Sequence, residues 1–404
     1  MPKLLQINTV ASYSSTGRIV VGIGQMANKE GWQNYVGFGR KDEVENSNTY
    51  RIGNKLDNYL HVAETRLFDR HGLSSRMATK KFINWIEEIE PDIIQLHNLH
   101  GYYLNIPILF KFLENFEGPV VMSLHDSWNL TGHCPQFEHI GCEKWITSCH
   151  KCPLTREYPK SLGIDRSTKN QLMKKNWFTK VDNLTLVTSS EWSVDIIRKS
   201  FLSNKEIVKI SNGVDTNIFY PRENSKLKAK YNLENKFIIL GVAAVWTVNK
   251  GYKDFLKLSS KLNTDEVLIL VGLDEKQTKE IPKNILGIQR TQDVHELAEF
   301  YSISDVFLNL TYGDTFPTVN LEALACGTPI VTYKTGGSTE PVNSNTGFVV
   351  DQGDLDASLE QVREIKKIGK EHYIKKCREF AVDNYEKDAQ FLKYIKLYKR
   401  LLEN

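Results

Sequence analysis

Short apolar, β-branched runs alternate along this chain with segments that repeat apolar residues every three or four positions. Leu4 to Asn8 reads as a first strand. Gly17 to Lys29 reads as the helix after it, with Ile19, Val20, Ile23 and Met26 on one face. Asp92 to Leu96, Val120 to Leu124 and Leu184 to Thr188 are further strand candidates. Helices between such strands act as right-handed crossovers, so the alternation predicts a parallel sheet. The pattern restarts after Asn212-Gly213. Phe237 to Val245, Val267 to Val271, Asp305 to Leu308 and Pro329 to Thr332 are continuous apolar runs, as in strands buried on both faces. Helical patterns at Asp254 to Leu262 and Asp293 to Ser302 separate them. The order predicts an α/β chain of two Rossmann-like, doubly wound domains, 1–205 and 206–380, followed by a helical segment at 381–404. The boundary region, 205 to 220, holds the turn-prone Asn212-Gly213, and Pro221 follows it.

Composition narrows the class. Apolar residues make up 41% and charged residues 25%, which excludes a disordered or fibrous chain. A net charge of +3 gives no global field for nucleic acid, and no nucleic-acid partner is expected. Basic clusters remain at Arg76, Lys80 and Lys81, and at Lys366, Lys367, Lys370, Lys375, Lys376 and Arg378. They read either as solvated helix faces or as contacts to an anionic membrane surface. The N-terminus runs straight into a strand pattern without a signal-peptide signature, and the apolar run from Phe237 to Trp246 is too short to span a bilayer. We expect a cytoplasmic protein whose membrane contact is peripheral, on the inner face of the cell membrane.

In open parallel sheets ligands bind beyond the carboxyl ends of the strands. Two such domains facing each other suit a two-substrate reaction from which closure excludes water. After the run Asp305 to Leu308 come Asp314, Thr315, Phe316, Pro317, Thr318, Val319 and then Glu322. With Thr318 as N-cap, the amides of Phe316 to Val319 would be donors at a positive helix end, an anion site for a diphosphate. Asp314 and Glu322 flank it, and a carboxylate accepts the two hydroxyls of a sugar diol. Taken alone, Glu322 is also a first-turn acid favoured by the helix dipole. Lys250-Gly251 follows the first strand of the second domain, and Lys250 offers a point charge for the diphosphate.

This stretch resembles the E-x7-E signature of glycosyltransferase family 4, retaining enzymes of the GT-B fold. The likeness runs through Leu321-Glu322-Ala323-Leu324-Ala325-Cys326-Gly327-Thr328-Pro329 to Gly336-Gly337. Asn212-Gly213-Val214-Asp215 with Phe219 and Pro221, Ser190-Glu191-Trp192, and Lys250-Gly251 are similar to other segments of that family, in order. Two departures stand out. The first acid is Asp314, one methylene shorter than the usual Glu. Many members also carry an Arg five or six residues before the Lys, where this chain has Val245 and Ala244; Arg290 is the candidate replacement.

The resemblance implies GT-B architecture with the last helix crossing back to the first domain. It also implies retaining transfer of a hexosyl unit from a nucleotide-diphosphate sugar, UDP favoured and GDP admitted, to a lipid-linked oligosaccharide acceptor. The setting would be exopolysaccharide, capsule or O-antigen synthesis, and no catalytic metal is expected. His125, after Val120 to Leu124, resembles the family's active-site His, and Asp126 is placed to orient it. His97, Asn98 and His100 follow another strand and read as acceptor-side groups. Gly17, closing the loop after the first strand, reads as an acceptor or phosphate contact.

Cys134, Cys142, Cys149 and Cys152 lie in an insertion at 130–165. Their Cys-x2-Cys knuckle and two further thiols suggest a structural zinc, with His133 and His150 as alternative ligands. Free thiols packing a loop, or disulfides, are the other readings. The insertion and the run His97-Asn98-Leu99-His100-Gly101-Tyr102 resemble the colanic-acid and capsular-polysaccharide subgroup. Two competing functions remain: a same-fold nucleotide-sugar epimerase or hydrolase, which would turn over donor without acceptor, and a non-catalytic glycan- or nucleic-acid-binding protein, which would bind no nucleotide diphosphate.

Overall fold

The computed structural model describes residues 1–40, 48–223 and 225–403. The chain divides into two compact units, one of residues 1–210 with 391–404 and one of residues 211–390.

The first unit is built on a seven-stranded sheet of β1 (Lys3–Asn8), β2 (Gln33–Phe38), β3 (Thr49–Arg51), β4 (Ile93–Leu96), β5 (Val120–Leu124), β6 (Leu184–Thr188) and β7 (Glu206–Lys209). All neighbours are parallel, in the order β3-β2-β1-β4-β5-β6-β7. Strands β4, β5 and β6 are buried at every residue, because helices cover both faces. The segment from Phe391 closes one face. Tyr394, Ile395 and Tyr398 pack with Leu4, Trp32, Ile93 and Val121, and the Tyr398 hydroxyl donates to Gln95 Oε1 at 2.9 Å.

The second unit holds six parallel strands in the order β10-β9-β8-β11-β12-β13. These are β8 (Phe237–Val242), β9 (Glu266–Val271), β10 (Ile285–Ile288), β11 (Val306–Asn309), β12 (Ile330–Tyr333) and β13 (Gly347–Val350). Its core runs from Ile239 and Leu240 through Leu308 to Val331 and Tyr373.

Several boundaries differ from the sequence pattern for local reasons. The first helix starts at Ser14 instead of Gly17. The apolar run from Phe237 leaves the sheet at Val242, and Ala244 and Val245 form an exposed loop. Strands β4 and β11 begin one residue late, because the Asp92 and Asp305 carboxylates each accept the amide that opens the neighbouring pairing, from Lys3 and from Ile238, both at 2.6 Å. The terminal helical stretch is broken at Glu386, between Glu371–Tyr385 and Lys387–Glu403. There Val214 donates to the Tyr385 carbonyl at 2.8 Å and accepts from the Lys387 amide at 3.1 Å, replacing two helical bonds. No helix among the described residues is long and apolar enough to cross a membrane.

Strand order reverses between β1 and β4 in the first unit and between β8 and β11 in the second. The loops leaving those four strands are where an open parallel sheet offers a crevice.

Candidate functional site

In the second unit, the loops after β8 and β11 bring Lys250 and Asp314 together at 2.6 Å, half-buried. Lys250 ends a short turn capped by Thr247, and Gly251 follows with φ +73°. A Cβ at Gly251 would sit 2.2 Å from the Leu310 carbonyl oxygen, so only glycine lets the Lys250 turn lie against the end of β11. Gly336 does the same for the acid. Its φ is +48°, a Cβ there would meet the Asp314 carbonyl at 2.0 Å, and the Gly337 amide donates to that carbonyl at 3.1 Å. Asn212 Nδ2 holds the same loop by donating to the Phe316 carbonyl at 3.0 Å.

The helix after this loop runs Thr318–Ala325. Its N-cap is Pro317, not Thr318; Thr318 is already helical, since proline's fixed φ suits the residue before the first turn. The Phe316 amide, expected as a ligand donor, instead donates to Asp314 Oδ1 at 3.2 Å. Glu322 lies half-buried one turn in and accepts from the Tyr301 hydroxyl at 3.0 Å. Burial, then the charge of Glu322, hold that phenol well above its ordinary range, so it stays a donor. Thr315 and Val319 are half-buried in the same segment, while Phe316 and Pro317 are buried. Arg290 lies two residues past β10, the edge strand, and is exposed. Strand β9 separates β10 from β8, so Arg290 starts about 10 Å sideways from the Lys250 loop.

In the first unit, the helix after β1 carries Gly17, and the loops after β4 and β5 carry His97 to His100 and His125 with Asp126. Gly17 is buried in the first helix. A Cβ there would lie 2.5 Å from the Ser12 carbonyl carbon, so its absence lets that helix pack on the loop. His125 Nε2 meets His97 Nδ1 at 3.1 Å, and His97 Nε2 meets Gln6 Oε1 at 3.1 Å. Gln6 Nε2 donates to the Val20 carbonyl at 2.9 Å and to Asn34 Oδ1 at 2.9 Å. A carbonyl only accepts, so Gln6 presents its oxygen to His97. His97 Nε2 therefore carries the proton, and Nδ1 accepts from His125 Nε2–H, because the His97 ring is neutral. Burial, and then His125, push His97 far below the ordinary imidazole value. Burial likewise pushes His125 down to about 4, against the opposing pull of Asp126. Gln6, a polar residue inside an apolar strand, was the sequence signal for this chain of bonds and was missed.

Asp126 does not orient His125. Its Oδ2 accepts from His100 Nε2 at 2.8 Å and its Oδ1 from the Trp128 amide at 2.9 Å. Burial favours the protonated acid, but His100 and these bonds outweigh it and leave the carboxyl below its usual range. His100 Nδ1 also meets the Tyr158 hydroxyl at 2.9 Å, and the Asn98 amide donates to Asn8 Oδ1 at 3.2 Å.

The expected zinc site does not assemble. Among the described residues, no group of three or more His, Cys, Asp or Glu could hold a metal ion. Cys134, Cys142, Cys149 and Cys152 are free and collect around Phe137, Trp145 and Leu154 in a small core of their own. Cys149 Sγ accepts from the Gly132 amide at 3.2 Å, and burial raises its thiol to about 11. His133 is turned to Asp69, at 2.7 Å and wholly buried. His150 Nδ1 lies 2.8 Å from the Ser148 carbonyl, a local contact two residues back along the chain.

Residues 223–382 match the family model described as Glycosyl transferases group 1. The chain carries a glycosyltransferase domain. That places it among enzymes, with the Lys250–Asp314 loops and Glu322 inside the matched segment. Over most of its length the chain is similar to WcaC of Escherichia coli, a colanic acid biosynthesis protein named as a glycosyl transferase, with 22% identity covering 87% of this chain and 88% of that one. It is 26% identical, over 53% of its length and 60% of the relative's, to the Campylobacter jejuni N,N'-diacetylbacillosaminyl-diphospho-undecaprenol α-1,3-N-acetylgalactosaminyltransferase. The fold, of GT-B type, matches that of HepE from Anabaena, solved with UDP-glucose, at a TM-score of 0.68 and 15% identity over 98% of this chain and 99% of that one.

Proposed function

We propose that this chain is a retaining glycosyltransferase that moves a hexosyl unit from a UDP-sugar to a lipid-linked glycan acceptor in exopolysaccharide, capsule or O-antigen synthesis. The observation that carries the reading is the Lys250–Asp314 pair at the strand reversal of the second unit, with Asp314 in the loop that leads into the helix Thr318–Ala325 and its Glu322. Lys250 is a half-buried cation paired with the Asp314 carboxylate. A diphosphate, with more charge and more acceptor oxygens, displaces such a partner.

In this reading Lys250 and the first amides of the helix stabilise the departing diphosphate. Asp314, released from Lys250, and Glu322, oriented by Tyr301, accept hydroxyls of the donor. In the first unit His125 is neutral at pH 7 and presents a fixed tautomer to a sugar hydroxyl, while His97, Asn98, His100, Asp126 and Gly17 frame the acceptor side. The lipid-linked acceptor is supported by the undecaprenol-linked substrate in the name of the Campylobacter relative, and the UDP donor by the UDP-glucose bound to HepE.

The test is mass spectrometry of reactions pairing UDP-, GDP- and dTDP-sugars with lipid-linked acceptors. A hexose mass added to acceptor with a UDP-sugar is the expected result. Folded protein that binds nucleotide yet transfers nothing overturns it. Donor turnover without acceptor points to a hydrolase or epimerase on the same fold.

A further inference from the structure

Surface helices ordinarily bury an apolar stripe and show polar residues to solvent. The helix Lys55–Phe68 in the first unit does the reverse. Its buried residues are His61 and Thr65. Its outward side carries Leu56, Tyr59, Leu60 and Leu67, which are 65%, 71%, 58% and 53% exposed. At about 100° per residue these four fall within roughly 100° of arc, opposite His61 and Thr65.

Neighbouring segments widen the face. Ser75 Oγ meets His61 Nδ1 at 2.9 Å and brings the helix Arg76–Ile89 alongside, with Met77 66% exposed in its first turn. The Leu162 amide donates to the Arg66 carbonyl at 2.8 Å, which sets exposed Leu162 and Ile164 at the far end of the stripe. Lys55, Arg66, Arg76, Lys80 and Lys81 are exposed on the same two helices. In the other basic cluster of the chain, Lys367 and Lys375 stay exposed and pair with Glu364 and Glu379 on their own helices, while three members are used internally. Lys366 binds Asp265 and Glu266, Lys370 donates to the Ser302 and Ser304 carbonyls, and Arg378 donates to the Phe219 carbonyl.

We infer that this face docks on a bilayer containing anionic phospholipid. The leucines and Tyr59 enter the boundary between headgroups and acyl chains, and the basic residues meet lipid phosphates. The cationic residues beside a stripe of leucines select that partner over a neutral protein surface. The inner side of the same helix reaches the acceptor loop: Asn58 Nδ2 donates to the carbonyl of Tyr102, two residues past His100, at 2.9 Å. Docking therefore deepens the reading of a lipid-linked acceptor and rests on it for its purpose, while the binding itself needs no sugar chemistry.

The experiment is co-sedimentation of the full chain with vesicles of phosphatidylglycerol and phosphatidylethanolamine, and with phosphatidylcholine alone, at low and high salt. Binding to the anionic vesicles about tenfold or more above the neutral ones, weakened by salt, is expected. Leu60→Asp with Leu67→Asp should cut that binding about tenfold at an unchanged melting temperature. Leu60→Gln with Leu67→Gln is the milder pair should the first lose its fold. Failure of the wild-type chain to bind anionic vesicles, or undiminished binding by folded variants, overturns the inference. So does a dimer that the variants dissociate, since the face would then join two copies. Vesicle binding without sugar transfer would sink the transferase reading alone, and transfer without vesicle binding would sink the docking surface alone.

Discussion

Both sheets reverse strand order at a central pair, and both carry polar side chains just past those strands. In the second unit these are charges: Lys250 pairs with Asp314, and Glu322 accepts from the Tyr301 hydroxyl. In the first they are imidazoles, His97, His100 and His125, and eight of the chain's ten histidines lie in that unit. His97 and His125 are kept neutral by burial and fixed in orientation by a bond chain ending on the Val20 carbonyl. One winding pattern thus supports a half-buried ion pair in one unit and a neutral, hydrogen-bonded relay in the other. The first suits a charged leaving group; the second suits hydroxyls.

The comparison breaks most sharply at Glu322. Glu322→Gln should lower transfer by roughly 10²–10³-fold with little change in melting temperature, because the residue is half-buried and packs no core. Wild-type turnover in that variant would remove Glu322 from the site. On the imidazole side, His125→Ala should cost about 10²-fold in kcat. Gln6→Leu, which touches only the far end of the relay, should cost about tenfold in kcat with KM unchanged, since it frees the His97 tautomer. An equal rise in KM would mark a packing defect instead.

Acid should separate the units without mutation. The unfolded chain protonates imidazole near the ordinary 6.5, whereas folded His125 and His61 do so only near 4 and 3. Between those values the unfolded state binds more protons, so the stability these groups contribute is complete above 6.5 and is lost as pH falls toward 4. Hydrogen exchange at pH 7 and pH 5 should show lost protection in residues 1–210 and little change in 211–390. Equal loss in both units would contradict the contrast.

Much of this was legible in the sequence. Apolar runs placed β1, β4 to β6, β8, β9, β11 and β12, since a strand buried on both faces has few polar alternatives. Lys250 and Glu322 were legible because each sits beside its strand or helix start. The relay was not, because Gln6, His97 and His125 are joined across 91 and 28 positions and only the sheet brings them together. Asp126 was assigned to its neighbour in sequence, yet adjacent residues at a strand end point different ways, and it reaches His100 instead. Cysteine spacing suggested a metal, but spacing does not fix where thiols point, and these four pack against Phe137 and Trp145.

The most direct measurement is calorimetric titration of the chain with UDP, run beside Lys250→Ala. One UDP bound per chain, with affinity falling about tenfold or more in the variant, is the predicted result, because a charge-assisted bond to the diphosphate is lost. No heat with UDP in the folded wild-type chain, or the same affinity without Lys250, would contradict the assignment of the second unit as the donor site.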